Sequence, residues 1–247
     1  MESQKDGMFM PVWSSPFGPP PYWMESSERI IIEFETDPEE IRRITPAPLK
    51  PAEHNRLLAF VSDNRQTPHS LFYHEAGIVQ SVTYEGRPAI TIPYLWTSTD
   101  TAMLAGRELY GMPKLMCDHD RLEISGNEAF GKLGREGRTM LEMSITIEKK
   151  VAPEDMPMSS EYAFMRVIPS PDPDWPTLRQ LVWITLEDPK VHSCWAGKGW
   201  LRFGWPSSSG LDRLPVNRIT NAWYSQHSLT LSAAKILHEE KIKNEFG

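Results

Sequence analysis

A lysine that starts a new element directly after a tight turn, among apolar neighbours, is a candidate nucleophile. The segment Gly106-Arg107-Glu108-Leu109-Tyr110-Gly111-Met112-Pro113-Lys114 has this form. Glycine and proline end one element and redirect the chain, so Lys114 begins the next. Leu109, Met112, Leu115 and Met116 flank it in sequence. Such company disfavours an ammonium, and a neutral amine attacks a carbonyl carbon to give a Schiff base. Most lysines after a turn are solvated, so the segment alone leaves an exposed lysine open as well. The sequence contains no G-x-S-x-G, no G-x-x-x-x-G-K-[ST] and no H-E-x-x-H, which removes the commonest hydrolase, nucleotide and zinc signatures. Cys117-Asp118-His119-Asp120 has ligand-type residues. Consecutive strand residues alternate faces, so the run reads as a polar turn rather than a metal site. His69 and His74 read as surface or hydrogen-bonding histidines.

The elements that must place Lys114 are mostly strands. Ile30 to Glu35, Leu57 to Val61, Gly77 to Tyr84, Ala89 to Leu95, Arg121 to Ile124, Met140 to Ile147, Phe164 to Ile168, Leu181 to Leu186 and Gly199 to Phe203 all have strand length and composition. The chain has 22 prolines in 247 residues, well above the ~5 % average, which keeps elements short. This spacing predicts an α+β domain that is mainly β, an antiparallel barrel or sandwich with a few peripheral helices. Helices are expected after Asp37-Pro38, from Thr99 to Leu109, and at the C-terminus over 232–247, built on Ser232 to Ile242. Residues 1–25 read as a proline-rich arm whose Trp13, Phe17, Tyr22 and Trp23 dock on an apolar surface. No linker or repeat divides residues 1–247, so one domain is expected.

With 26 Lys+Arg against 33 Asp+Glu, the formal charge is −7. An acidic balance argues against nucleic acid or an anionic membrane as the main partner. Two cysteines without C-x-x-C spacing, a polar M-E-S-Q-K-D-G start and no long apolar run predict a cytoplasmic chain that is neither disulfide-stapled nor membrane-spanning.

The Lys114 segment resembles the signature G-R-E-L-x-x-x-P-K of the acetoacetate decarboxylase family, whose lysine at this place forms a Schiff base with a keto acid. Pro21-Tyr22, Thr45-Pro46-Ala47-Pro48-Leu49, Tyr73-His74-Glu75-Ala76-Gly77, Val191-His192-Ser193-Cys194-Trp195-Ala196-Gly197 and Leu214-Pro215-Val216 recur in family order across nearly the whole chain. The resemblance implies a β-barrel or cone core with peripheral helices, a homo-oligomer, no cofactor, and Lys114 as the amine.

Several positions depart from the decarboxylases. Leu115 stands where they carry a second lysine; a cation beside the reactive lysine is the known activator in acetoacetate decarboxylase itself. Val61, after Phe60, stands at the place of an acid, and Ser27 near that of an arginine for which Arg29 is close enough to substitute. Glu75 is retained. This pattern resembles the aldolase-dehydratase branch, which condenses pyruvate with an aldehyde. On that resemblance Glu75 carries the proton, Tyr73, Tyr110 and Tyr224 are candidate hydroxyl donors, Met112 keeps the pocket dry and Arg29 binds substrate. Arg107 and Glu108 support the site, either as an ion pair that fixes the turn or by acting directly in catalysis. The alternatives are acetoacetate decarboxylation to acetone and CO₂, and a non-catalytic protein that binds an oxo acid or hydrophobic ligand.

Overall fold

β-branched runs and the alternation around them set the architecture. In the computed structural model, which describes residues 8–67, 71–204 and 209–243, the strands are β1 (Tyr22–Glu35), β2 (Lys50–Pro51), β3 (Arg56–Thr67), β4 (Leu71–Tyr84), β5 (Arg87–Thr97), β6 (Lys114–Met116), β7 (His119–Ser125), β8 (Glu128–Arg135), β9 (Arg138–Lys150), β10 (Glu161–Ile168), β11 (Thr177–Phe203), β12 (Arg218–Leu231) and β13 (Lys235–Ile242). They form one 13-stranded sheet along the path β10-β5-β4-β3-β1-β12-β11-β9-β8-β7. β10 also pairs with β11, so the path turns back on itself. The expected mainly-β class holds, but the sheet is mixed rather than antiparallel throughout. Both β6 and β10 run parallel to β5.

The centre of the sheet is covered on both faces, which is why Ile30, Ile31 and Ile32 are all buried and β1 reads as a continuous apolar run. Ile30, Ile32, Ala59, Val61, Ala76, Ile78 and Trp96 face a core shared with β8 and β9, including Leu133, Leu141 and Met143. Ile31, Phe60, Ile92, Leu95 and Trp223 face the opposite core, with Phe164 of β10 and Val182 and Ile184 of β11. β11 serves both layers. Its first part pairs with β10 and β13, and its last part with β9.

The helices are few and short. α1 (Pro38–Ile44) has the expected N-terminal proline and acidic first turn. α2 (Asp100–Ala105) begins where Thr99 Oγ1 accepts the Ala102 N–H. It then widens into a π turn, Gly106–Tyr110. Among the described residues no helix is long and apolar enough to cross a membrane.

Two expectations are corrected. The C-terminal segment, helical by composition, is strand β13, antiparallel to β11 from Thr177 to Trp183. Its sequence has no wide apolar stripe to bury as a helix, whereas the edge of β11 offers unpaired backbone groups. Arg179–Glu240 at 2.9 Å and Gln180–Glu239 side-chain contacts pin the pairing. The arm ends earlier than residue 25, because β1 already starts at Tyr22. Phe17 and Tyr22 are buried in the chain's own interior, while Trp13 and Trp23 are exposed. His69 lies outside the described residues.

Gly77 in β4 tests this packing. A Cβ there would lie 2.5 Å from the Tyr94 carbonyl oxygen and 3.0 Å from the Phe60 ring. Gly77→Ala should cost about 1–3 kcal/mol of stability, read as a lower urea midpoint. An unchanged midpoint would show that β4 and β5 are less closely apposed.

Candidate active site

Strand register brings the chemistry together. Residues at matching register positions share a face of the sheet. One row across β12, β1, β3, β4, β5 and β6 reads Trp223, Ile31, Phe60, Gly77, Leu95, Lys114. The next reads Ser225, Arg29, Ser62, Glu75, Thr97, Met116. A third, shorter row reads His227, Ser27, Asn64, Tyr73. An apolar row carrying the amine therefore lies beside two rows rich in polar groups.

Lys114 is delivered by the turn before it. Gly111 at φ 72° ends the π turn, and any Cβ on it would lie 2.6 Å from the Arg166 backbone of β10. Arg107 Nη1 donates to the Lys114 carbonyl at 3.1 Å, and Arg166 Nη1 donates to the carbonyls of Glu108 and Leu109 at 3.0 and 3.2 Å. Two guanidinium groups thus fasten both ends of the reversal. The expected Arg107–Glu108 ion pair is not among the described contacts. Arg107 instead reaches forward to the lysine backbone, and Glu108 takes part through its carbonyl.

The Lys114 side chain is 7 % exposed, and its Nζ lies 2.5 Å from Glu75 Oε1. This is a charge contact, because Oε1 accepts no aligned hydrogen bond. Nζ also lies 5.5 Å from the centre of the Tyr73 ring, within cation–π range. Lys114, Glu75, Tyr73, Met112 and Arg29 all line one cavity of about 130 Å³, otherwise walled mainly by Ile, Leu, Val and Met. A second cavity of about 40 Å³ meets the first at Lys114, Tyr73 and Met112 and is closed by Phe17, Tyr22 and Tyr110.

Arg29 is held in place by a hydrogen-bond chain. Its Nε and Nη2 donate to Ser27 Oγ at 3.3 and 2.8 Å, Ser27 Oγ donates to Asn64 Oδ1 at 2.6 Å, and Asn64 Nδ2 donates to Ser62 Oγ at 3.1 Å. Burial lowers the Arg29 pKa from its usual value, opposed by the nearby Tyr162, Glu75 and Tyr73. Burial also pushes the Tyr73 and Tyr162 hydroxyls up, Tyr73 well above the usual range. Both hydroxyls therefore stay protonated at neutral pH and are able to donate hydrogen bonds.

Other expected site residues lie elsewhere. Tyr224 is one residue out of phase with Trp223 and Ser225, so it faces the opposite core. There its hydroxyl donates to Glu28 at 2.9 Å and its ring lies 5.5 Å from that of Trp195. Tyr110 presents its ring to the smaller cavity, but its hydroxyl donates to the Ser232 carbonyl at 3.0 Å. Leu115 pairs with Trp96 and packs on the opposite core, and Val61 is buried there against Gly131. On β3 the residues facing the site are Phe60, Ser62 and Asn64. Tyr162 and His227 also line the larger cavity, and the sequence reading did not single them out. For His227 the signal was the alternation Trp223, Ser225, His227, readable only once one of them is known to face the site.

This fold and face have relatives. The family model described as Acetoacetate decarboxylase (ADC) matches residues 9–240. Acetoacetate decarboxylase 2 of Mesorhizobium japonicum is 27 % identical over 240 residues, covering 96 % of this chain and 90 % of its own. The enduracididine biosynthesis enzyme MppR, solved with the condensation product of pyruvate and imidazole 4-carboxaldehyde, has a TM-score of 0.82 at 24 % identity, over 94 % of this chain and 96 % of its own. Acetoacetate decarboxylase from Legionella pneumophila has a TM-score of 0.85 at 22 % identity, over 94 % and 93 %. At such identities the two structures speak for the fold alone.

Gly106 gives a test of how the amine is aimed. A Cβ there would lie 2.7 Å from Lys114 Cδ and 2.8 Å from Cε. The lysine stem can swing aside, so Gly106→Ala should fold with a nearly unchanged melting temperature. Borohydride-trapped adduct should form about 10²-fold more slowly, the scale of a ~1 Å misplacement. An unchanged rate would mean that the stem's path is not set by Gly106.

Proposed function

The chain belongs to the acetoacetate decarboxylase family of lyases, and from that premise we propose that it condenses pyruvate with an aldehyde through a Schiff base on Lys114. A proton passed from Lys114 to Glu75 across their 2.5 Å contact frees the amine. The amine adds to the 2-oxo carbon of pyruvate, and the Glu75 acid returns its proton to the departing hydroxyl, which leaves as water to give an iminium and a Glu75 carboxylate. Arg29 supplies the charge for the carboxylate. Glu75 takes a proton from the methyl carbon, leaving an enamine whose carbon attacks the aldehyde. The new alkoxide takes a proton from the Glu75 acid, with the Tyr73 hydroxyl available to donate a hydrogen bond to the same oxygen. Glu75 takes a second proton from the same carbon and passes it to the departing hydroxyl, which leaves as water; hydrolysis of the iminium then releases an unsaturated 2-oxo acid and regenerates Lys114.

The meeting of two cavities at Lys114 carries the choice of a two-reactant chemistry. One cavity includes Arg29 for the oxo acid, and the other is walled largely by aromatic and aliphatic side chains, with Gln66 and Thr101 among them. A second reading, decarboxylation of acetoacetate, begins with the same iminium and is favoured by the names of the curated relatives, such as that of Mesorhizobium japonicum. Leu115 does not separate the two readings, since position 115 lies on the opposite face of the sheet from the amine.

Borohydride reduction with pyruvate should add one substrate mass to the peptide containing Lys114, and Lys114→Ala should abolish it. Pyruvate with an aldehyde should yield a conjugated product by ultraviolet absorbance, while acetoacetate releases little CO₂. Glu75→Gln should lower kcat by about 10²–10⁴-fold while the adduct still forms. Brisk CO₂ release without conjugated product would move the second reading ahead. An adduct that survives in Lys114→Ala would falsify the assignment of the amine.

A further inference from the structure

His227 is 2 % exposed, lines the larger cavity, and neither ring nitrogen has a hydrogen-bond partner. A buried ring whose donor and acceptor are both unused is unfavourable, which makes it a candidate for ligand contact. Across the β12–β1 pair it stands opposite Ser27, the residue whose Oγ holds the Arg29 guanidinium. Imidazole and guanidinium are therefore neighbours on one wall of the cavity. Arg29 uses Nε and Nη2 on Ser27, and Nη1 makes none of the described hydrogen bonds. Burial first, then Arg29 and His192, hold His227 well below the usual histidine range, so the ring is neutral at pH 7. A second cation beside Arg29 would be repelled. A neutral imidazole adds an N–H without adding charge.

We propose that Arg29 and His227 together form a carboxylate subsite, in which the oxo acid's carboxylate accepts from Arg29 and from the His227 ring N–H. His227 then selects oxo acids over plain ketones. The proposal deepens the reading of Lys114 as the Schiff-base amine and rests on it for the identity of the ligand.

Pyruvate and acetone form Schiff bases of the same kind and differ in the carboxylate, so the pair isolates the subsite. In borohydride trapping, His227→Leu should raise the half-saturating pyruvate concentration about tenfold or more, the scale of one hydrogen bond to a charged group. The acetone value should stay within about twofold. His227→Gln, which keeps an N–H donor, should recover most of the preference for pyruvate. Equal losses for both ketones, or unchanged pyruvate trapping in His227→Leu, would overturn the proposal. A second measurement leaves His227 intact. In Lys114→Ala, the ¹⁵N signals of the His227 ring should shift with pyruvate and not with acetone. Those signals remaining still with pyruvate would also overturn the subsite. Their shifting in a protein whose parent traps neither ketone would keep the subsite and reject the Schiff-base reading.

Discussion

A lysine and a glutamate pressed together inside a largely apolar cavity set the terms for the rest of this molecule. Burying either charge alone is costly, and the pair is tolerable only while the two groups meet. They arrive from β4 and β6, which are not paired with each other and each pair with β5. A slip of one residue in either pairing would send Lys114 or Glu75 to the opposite core. The features around them protect that register. β6 is locked parallel to β5 and its entry is tied by Arg107 and Arg166. Gly77 and Gly106 clear space where a methyl group would intrude.

The same alternation explains what sequence reading reaches and what it misses. Long runs such as Ile30 to Glu35 and Met140 to Ile147 announce strands because their composition fits nothing else. The Lys114 segment stands out because its turn chemistry and apolar company agree. The face on which a strand residue lies is a different matter. Tyr224 is a sensible site residue by type, Val61 stands where the family resemblance places an acid, and both belong to strands that border the site. Each lies one position out of phase, which only the pairing of β12 with β1 and β3 with β4 determines. For the same reason Leu115 is a change beside the lysine in sequence and on the far side of the sheet in space.

The C-terminal segment shows tertiary context overriding local preference. Ala-Ala-Lys-Ile-Leu-His-Glu-Glu-Lys is good helix composition, yet Lys235–Ile242 becomes an edge strand because β11 has an open side there. The polar partners of the site were equally hard to foresee. Ser27, Asn64 and Ser62 have no signature of their own, and they acquire a role only as consecutive links across β1 and β3 to Arg29.

β11 runs from Thr177 to Phe203 and contributes to both cores. Its first part closes the wall opposite the site, and its last part carries the layer with β9. Neither core can lose its share of this strand without exposing apolar surface in the other. The two layers are therefore thermodynamically one cooperative unit, and heat or denaturant should melt them in a single transition. A partly opened molecule with the amine exposed and the far layer intact is correspondingly rare. Lys114 is shielded from stray carbonyl compounds by the stability of the whole sheet rather than by its local cover alone.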